Sequence, residues 1–169
     1  MIRIVIAEDQ TLLLEAMGNL LNLEEDIEVV GQAGNGEEAL TLVQNLKPDI
    51  CIMDIEMPEK SGLEAAEELQ HINCKVIVLT TFARPGYYQR AMKADVWGYL
   101  LKDNPSEELA YSIRSIMAGK RIYSNELMDE DSSEEVPAPF QQNSSQNTKT
   151  GSVKNYLSSI MDKMKLPTG

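Results

Sequence analysis

The chain is poor in the residues on which several common chemistries depend. It holds one histidine, His71, and two cysteines, Cys51 and Cys74, among 169 residues. A single histidine gives no support to a Ser-His-Asp triad or a zinc site, and His71 is expected on the surface near a helix end. Both cysteines lie in or beside apolar runs, so we expect buried free thiols in a reduced, cytoplasmic protein.

Long apolar runs and basic residues are also scarce. No apolar run approaches the ~20 residues of a membrane span. The N-terminal run is too short for a signal peptide, and acids follow it directly. The 27 acidic residues outnumber the 15 Lys and Arg residues, which gives a formal net charge of -12. This balance disfavours a protein that coats nucleic acid with its whole surface.

Short apolar runs alternate with helical patterns over about the first 120 residues. The predicted strands cover residues 2–7, 27–33, 50–54, 75–80 and 97–102. The predicted helices cover about 10–23 with Asp9 as cap, a segment opened by Asn35-Gly36, 61–72, Pro85 to about Ala94, and Pro105 to Gly119. Strands that are apolar throughout indicate burial on both faces. We therefore predict an α/β fold, a doubly wound five-stranded parallel sheet with helices on both faces.

The composition changes after this region. Residues 129–135 hold five acids among seven residues, and a Pro-, Gln-, Asn- and Ser-rich stretch follows. We interpret 122–150 as an acidic and polar linker after a domain at 1–121. Residues 151–169 regain helical spacing, and 149–165 carry +3 against -15 for the rest of the chain.

Three carboxylates are predicted to meet at one edge of the sheet. Glu8 and Asp9 follow the first strand and Asp54 ends the third, and these strands are neighbours in a doubly wound sheet. Like charges about 4 Å apart repel by roughly 4 kcal/mol at an effective dielectric of 20. Such a cluster requires a shared proton or a cation, and carboxylate oxygens suit Mg²⁺. Asp9 could serve merely as a helix cap, but capping does not explain Asp54.

Two further polar side chains are predicted at the same edge. Thr80 ends the fourth strand, and Lys102 ends the fifth. A hydroxyl and an ammonium beside an acid–metal cluster are typical of a site that binds a phosphoryl group. Each residue alone is weak evidence, whereas the set on four strands is a strong signal.

These motifs resemble the receiver domain of two-component response regulators, of the LuxR/NarL type. The resemblance covers residues 1 to about 121, through ED at 8–9, MDIEMPEKSG around Asp54, LTT at 79–81 and GYLLKD at 98–103, with GLEAAEEL and TTFARPGY typical of that type. It implies a flavodoxin-like strand order, 2-1-3-4-5. It also implies phosphorylation by a sensor histidine kinase and control of transcription through a phosphorylation-dependent homodimer.

The resemblance assigns a role to each site residue. Asp54 would accept the phosphoryl group. Glu8, Asp9, Asp54 and the backbone carbonyl of Glu56 would hold Mg²⁺. Lys102 would bind the phosphate, Thr80 would sense it, and Tyr99 would be the rotameric switch. The apolar stripes of the first and last helices, with Leu12, Leu13, Ile113 and Ile116, could supply a dimer contact or only core packing.

Four residues depart from the family pattern or tune it. Asp95 stands where the family commonly has Gly in a left-handed turn, a conformation that Asp tolerates at some cost. Trp97 is expected either to pack at the sheet edge or to form a contact on the signalling face. Glu56 and Phe82 lie at positions that tune the phosphate lifetime in the family.

The C-terminal segment is similar to the recognition helix of a LuxR-type helix-turn-helix. Lys154, Asn155 and Ser158 would face DNA in that motif. A lone helix of ~15 residues is marginal in water, and a polar linker stands where two preceding helices are expected. We therefore predict weak or absent specific DNA binding by this chain. The segment is expected either to dock on the first domain or to remain a solvated helix.

Two other classes of function stay open. Asp54-Ile-Glu56 is superficially similar to the motif of Mg²⁺-dependent aspartyl phosphohydrolases, but there the nucleophile ends the first strand. The other class is an interaction module that has lost phosphorylation, which the intact set of site residues disfavours.

Overall fold

The computed structural model describes residues 1–103, 106–125 and 127. Six strands and five helices occur in this part of the chain. In chain order they are β1 (Ile2–Ala7), α1 (Thr11–Asn22), β2 (Ile27–Ala33), α2 (Gly36–Leu46), β3 (Ile50–Asp54), α3 (Gly62–Leu69), β4 (Lys75–Thr80), α4 (Tyr87–Lys93), β5 (Gly98–Leu101), α5 (Ser106–Met117) and β6 (Ile122–Tyr123).

The strands form one parallel sheet in the order β2-β1-β3-β4-β5-β6. The predicted α/β class and the order 2-1-3-4-5 are confirmed, but the predicted count of five strands is wrong. The sixth strand pairs Ile122 with Gly98 and Tyr123 with Tyr99. Its two residues are too few to show a strand period in the sequence. The described fold therefore continues past residue 121, where the first domain is predicted to end.

Both faces of the sheet are buried, as the continuous apolar runs predict. All five residues of β3 are buried, and alternate residues along it point to opposite faces. Cys51 and Met53 belong to the apolar cluster with α2, α3 and α4, whereas Ile50 and Ile52 belong to the cluster with α1 and α5. The two layers of helices hold the central strands rigidly, which fixes the position of the residues at their ends.

The helix starts show which capping predictions hold. Asn35 caps α2 by accepting a hydrogen bond from the Glu38 N–H at 2.9 Å, and Glu38 Oε2 accepts one from the Gly34 N–H at 2.8 Å. The prediction that Asp9 caps α1 is wrong. Gln10 occupies that position without a side-chain cap bond. The Asp9 carboxylate instead belongs to a cluster of acids at the sheet edge.

The turns at both ends of α4 depend on left-handed residues. The helix begins after Gly86, which has φ +86°, and not at Pro85 as predicted. Asp95 takes the left-handed conformation expected of it, with φ 57°. Its carboxylate also forms an ion pair with Arg121 at 2.8 Å.

Trp97 is half-buried and packs against the cluster formed with α1 and α5. The Lys75 ammonium lies 4.3 Å from the centre of the indole ring, and the Arg121 guanidinium carbon lies 4.1 Å from it. Both distances are typical of cation–π contacts. These contacts favour the prediction that Trp97 packs at the sheet edge.

Other predictions divide between the described residues and the rest. Cys51 and Cys74 are buried free thiols, and His71 is exposed, as predicted. The predicted helix start at Pro105, most of the linker, and the proposed DNA contacts Lys154, Asn155 and Ser158 lie outside the described residues. Within the described ranges, no helix has the length and apolarity needed to cross a membrane.

Candidate functional site

The carboxyl ends of four parallel strands bring a set of polar side chains together. Glu8 follows β1, Asp54 ends β3, Thr80 ends β4 and Lys102 follows β5. All are buried, with exposed fractions of 1% for Glu8, 7% for Asp54, 3% for Thr80 and 4% for Lys102. Buried polar groups of this kind need partners, because an isolated buried charge is strongly unfavourable.

Lys102 joins the two buried carboxylates. Its Nζ atom lies 2.9 Å from Asp54 Oδ2 and 2.8 Å from Glu8 Oε2. One ammonium therefore compensates two acids from two different strands. The arrangement fixes both Asp54 and Lys102 in space and leaves the second Asp54 oxygen to accept a 3.3 Å hydrogen bond from the Glu56 N–H.

Burial and the neighbouring charges shift two pKa values. Burial, and then the negative charge of Asp54, raise the pKa of Glu8 to about 8. Burial opposes the charged form of Lys102, but Asp54 and Glu8 outweigh it and raise the pKa of that ammonium. The raised pKa of Glu8 indicates that Lys102 alone does not compensate both acids, so the site favours either an added proton or a further cation.

The acids fit a magnesium ion. Carboxylate oxygens of Glu8, Asp9 and Asp54 all lie within 4.8 Å of one another, and Asp9 is on the exposed side. Hard oxygen ligands with one side open to water and substrate are what Mg²⁺ prefers. The predicted part of the Glu56 backbone carbonyl in this site remains a prediction.

Gly62, which the sequence indicated only as a chain breaker, packs closely against the backbone of Asp54. A β-carbon at Gly62 would lie 2.2 Å from the Asp54 carbonyl oxygen, and the Gly62 N–H donates to the Ile55 carbonyl at 3.0 Å. Only a residue without a side chain fits there. A Gly preceded by Ser61 at a predicted helix start could have indicated this close approach.

Thr80 and Tyr99 occupy defined positions. The Thr80 hydroxyl donates a 2.7 Å hydrogen bond to the Phe82 carbonyl. Tyr99 is fully buried, and its ring lies 6.2 Å from that of Tyr88 in α4. The predicted roles of Thr80 as phosphate sensor and Tyr99 as switch remain predictions.

Contacts beside Asp54 involve two residues that sequence reasoning did not single out. Glu56 forms an ion pair with Arg84 Nε at 2.9 Å and accepts a long hydrogen bond from the Tyr87 hydroxyl at 3.5 Å. Burial, and then Glu56, raise the pKa of Tyr87. The Arg84 guanidinium carbon lies 5.0 Å from the centre of the Phe82 ring. Only the short separation of Phe82, Arg84 and Tyr87 after Thr80 could have indicated this group.

The residues predicted for a dimer contact differ strongly in their exposed fraction. Leu13, Ile113 and Ile116 are core residues with at most 1% exposure. Leu12 on α1 is 67% exposed, and Tyr111 on α5, which was not singled out, is 64% exposed. A helical period places the next residue on a different face, which is why Leu12 and Leu13 differ.

A doubly wound parallel sheet with buried acids, a hydroxyl and a lysine at its carboxyl edge defines a receiver-type domain. The family model of the response regulator receiver domain matches residues 4–114. The chain therefore belongs to the two-component response regulators, of the LuxR/NarL type.

Several known proteins share this similarity. The chain is 54% identical to the transcriptional regulatory protein DesR of Bacillus subtilis, covering 98% of this chain and 92% of that one. It is 50% identical to the uncharacterised transcriptional regulatory protein YvfU of the same organism, with 97% and 91% coverage. Among solved structures, a DNA-binding response regulator of the LuxR family from Staphylococcus aureus has a TM-score of 0.66 and 42% identity, covering 69% of this chain and 98% of that one.

Proposed function

We propose that this protein is a transcriptional response regulator that a sensor histidine kinase phosphorylates on Asp54 in a Mg²⁺-dependent reaction. One observation carries the proposal. The Lys102 ammonium lies 2.9 Å from Asp54 Oδ2 in a buried site that also holds Glu8, with Asp9 at its exposed side. This is an oriented carboxylate nucleophile with a cation beside it and metal ligands next to it.

The phosphoryl transfer would use these residues in distinct ways. An Asp54 oxygen attacks phosphorus, and the bond from phosphorus to the donor atom breaks, with its electron pair leaving on the donor. Lys102 provides positive charge for the oxygens of the transferred group. Glu8, Asp9, Asp54 and the Glu56 carbonyl would hold Mg²⁺, which supplies charge neutralisation during phosphoryl transfer. The protein acts as a phosphoacceptor switch and not as a turnover enzyme.

The phosphoryl group would change the surface through Thr80 and Tyr99. A charged group with acceptor oxygens on Asp54 attracts the Thr80 hydroxyl. Movement of Thr80 would let Tyr99 and α4 shift, which changes the face formed by α4, β5 and α5. We propose that this change favours a homodimer.

The exposed apolar side chains Leu12 and Tyr111 offer surface for this dimer. Leu12→Glu and Tyr111→Glu should lower the dimer fraction of the phosphorylated protein in sedimentation velocity. Ile72→Glu, at a residue with 38% exposure after α3, is the matched control. Unchanged dimerisation in both α1 and α5 variants would place the interface elsewhere.

DNA binding by this chain is proposed to be weak. The alignment with DesR runs over 182 positions against 169 residues here, so some positions of that relative have no counterpart in this chain. If these positions lie in the output segment, Lys154, Asn155 and Ser158 would contact DNA without a complete helix-turn-helix. Salt-resistant, sequence-specific retention in a gel shift would overturn the proposal.

The first experiment is incubation with Mg²⁺ and acetyl phosphate, followed by intact-mass measurement. We expect one added phosphoryl group, which is lost in Asp54→Asn and without Mg²⁺. Glu28→Gln, at an exposed acid on β2, is the control and should be phosphorylated normally. Steady release of inorganic phosphate without an adduct would favour a phosphohydrolase. Neither adduct nor release would leave an interaction module.

A further inference from the structure

Four successive contacts connect Asp54 to Thr80. The Glu56 N–H donates to Asp54 Oδ1 at 3.3 Å, and the Glu56 carboxylate pairs with Arg84 at 2.9 Å. Arg84 lies over the Phe82 ring at 5.0 Å, and the Phe82 carbonyl accepts the Thr80 hydroxyl proton at 2.7 Å. We call the group Glu56, Arg84 and Phe82 the clasp.

The last of these contacts has a direct consequence for Thr80. A threonine hydroxyl has one proton to donate. In this structure that proton is donated to the Phe82 carbonyl, so it must leave this acceptor before it can bond to a phosphoryl oxygen on Asp54. Whatever fixes the Phe82 backbone therefore biases the position of Thr80.

We propose that Glu56 and Arg84 are positioning residues that stabilise the Thr80–Phe82 bond and so oppose activation in the unphosphorylated protein. Arg84 contacts the Phe82 ring, and Glu56, on the loop after β3, forms an ion pair with Arg84 Nε. The pair ties the β3–α3 loop to the β4–α4 loop. The inference rests on the proposed function and specifies how the same site is regulated.

The exposure of the clasp sets the size of its effect. The Arg84 side chain is 52% exposed and the Glu56 side chain 24% exposed. Water and salt weaken such a pair, so its contribution corresponds to about a two- to fivefold change in an equilibrium constant. A bias of this size is enough to shift the populations of two conformations without locking either.

The test compares Arg84→Gln and Glu56→Gln with a matched control, Arg90→Gln. Arg90 in α4 pairs with Glu67 in α3 at 3.0 Å, with side-chain exposures of 44% and 45%, so it is a similar pair away from Thr80. The first readout is the NMR chemical shift of the Thr80 methyl group without any phosphodonor. The second is the initial rate of phosphorylation by acetyl phosphate with Mg²⁺, followed by intact mass.

Both clasp variants should move the Thr80 methyl shift in the same direction. Both should also raise the phosphorylation rate by about two- to fivefold. Arg90→Gln should change neither. A rate that rises in Glu56→Gln but falls in Arg84→Gln would overturn the proposal, because Arg84 would then attract the anionic donor. A Thr80 methyl shift and a phosphorylation rate equal to those of wild type in both clasp variants would also overturn the proposal.

A double variant separates the loss of the ion pair from local distortion of the loops. In the double variant Glu56→Gln with Arg84→Gln, both changes break the same ion pair, so the Thr80 methyl shift should match that of either single variant, whereas independent distortions of the two loops would add. Added salt should move the wild-type shift toward that of the single variants and leave theirs unchanged. Failure of the wild-type protein to form an adduct would defeat the proposed function, while the Thr80 shift without phosphodonor would still decide whether the clasp exists.

Discussion

Gly62 and Asp54 are in backbone contact: a β-carbon on Gly62 would lie 2.2 Å from the Asp54 carbonyl oxygen. The start of α3 is therefore pressed against the residue that is proposed to accept the phosphoryl group. The nearest obstacle is backbone on β3, which is held in the sheet between two strands, so it has little room to give.

Gly62→Ala should destabilise the protein and displace Asp54. We expect a loss of about 1–3 kcal/mol in the free energy of unfolding, the range for overpacking a closely packed site. Phosphorylation by acetyl phosphate should slow in the fraction that remains folded. Gly34→Ala is the control, because its β-carbon would meet nothing closer than Glu38 Oε2 at 3.7 Å. Equal urea midpoints for the two variants would show that the contact is easily relieved.

Lys102→Met should be strongly destabilising. It leaves Glu8 and Asp54 buried without their shared cation, and removal of one partner from a buried ion pair costs about 3–5 kcal/mol. Urea denaturation at neutral pH measures the loss, with the exposed Lys120→Met as control. Mg²⁺ should recover part of the lost stability, since a second cation can pair with the same acids. A loss below about 1 kcal/mol, typical of a surface pair, would contradict the burial of this group.

Substitutions of Asp95 should separate backbone strain from charge pairing. Asp95→Gly relieves the left-handed conformation, which costs a non-Gly residue about 1–2 kcal/mol, but loses a surface ion pair with Arg121 worth up to about 1 kcal/mol. We expect a small net stabilisation. Asp95→Asn keeps a side chain that tolerates the conformation and loses the charge, so it should destabilise. Thermal unfolding of both variants measures their relative stability. If Asp95→Gly is less stable than Asp95→Asn, backbone strain at this position is not the larger effect.

The two thiols should be inert in the folded protein. Burial raises the pKa of Cys74 to about 12 and, in the fully buried Cys51, raises the pKa well above the ordinary value of 9.0. Because the folded state favours the neutral thiol, the stability that these groups contribute is full below pH 9 and is lost as the pH rises toward 12.

Alkylation by iodoacetamide at mildly alkaline pH measures the reactivity of the two thiols. Because each pKa unit changes the thiolate population about tenfold, native Cys74 should react about 1000-fold more slowly than in urea. The cysteine introduced by Gln44→Cys, at an exposed position on α2, is the control and should be alkylated at an ordinary rate. Comparable rates at Cys74 and at this added cysteine would contradict the prediction.

The sequence predicts the central strands well because burial on both faces leaves a strong pattern. In β3 every residue is buried, and a continuous apolar run reports this directly. The same logic brings Glu8, Asp54 and Lys102 to one edge, because parallel strands end on the same side. Lys102 was predicted only to bind the phosphate, whereas in the structure it pairs with both Glu8 and Asp54.

The remaining features depend on contacts that no local pattern encodes. The preference of Asp for helix caps suggested Asp9 for α1, but this acid belongs to the cluster with Glu8 and Asp54. The pair of Glu56 and Arg84 joins loops 28 residues apart in the chain, and such a pair is invisible to periodicity. The strand β6 exists because β5 offers it a hydrogen-bonding edge, and its own two residues carry no signal.

The short strand β6 also determines where a fragment of this domain can end and remain folded. It covers the outer edge of β5, where the Ser124 N–H donates to the Tyr99 carbonyl at 2.8 Å, and Leu127 beyond it is 1% exposed. A fragment that stops at residue 114 or 121 would leave β5 as an open edge, which invites pairing with other molecules and aggregation. A fragment that extends beyond Leu127 keeps that edge closed, and is the piece to express for crystallisation or NMR.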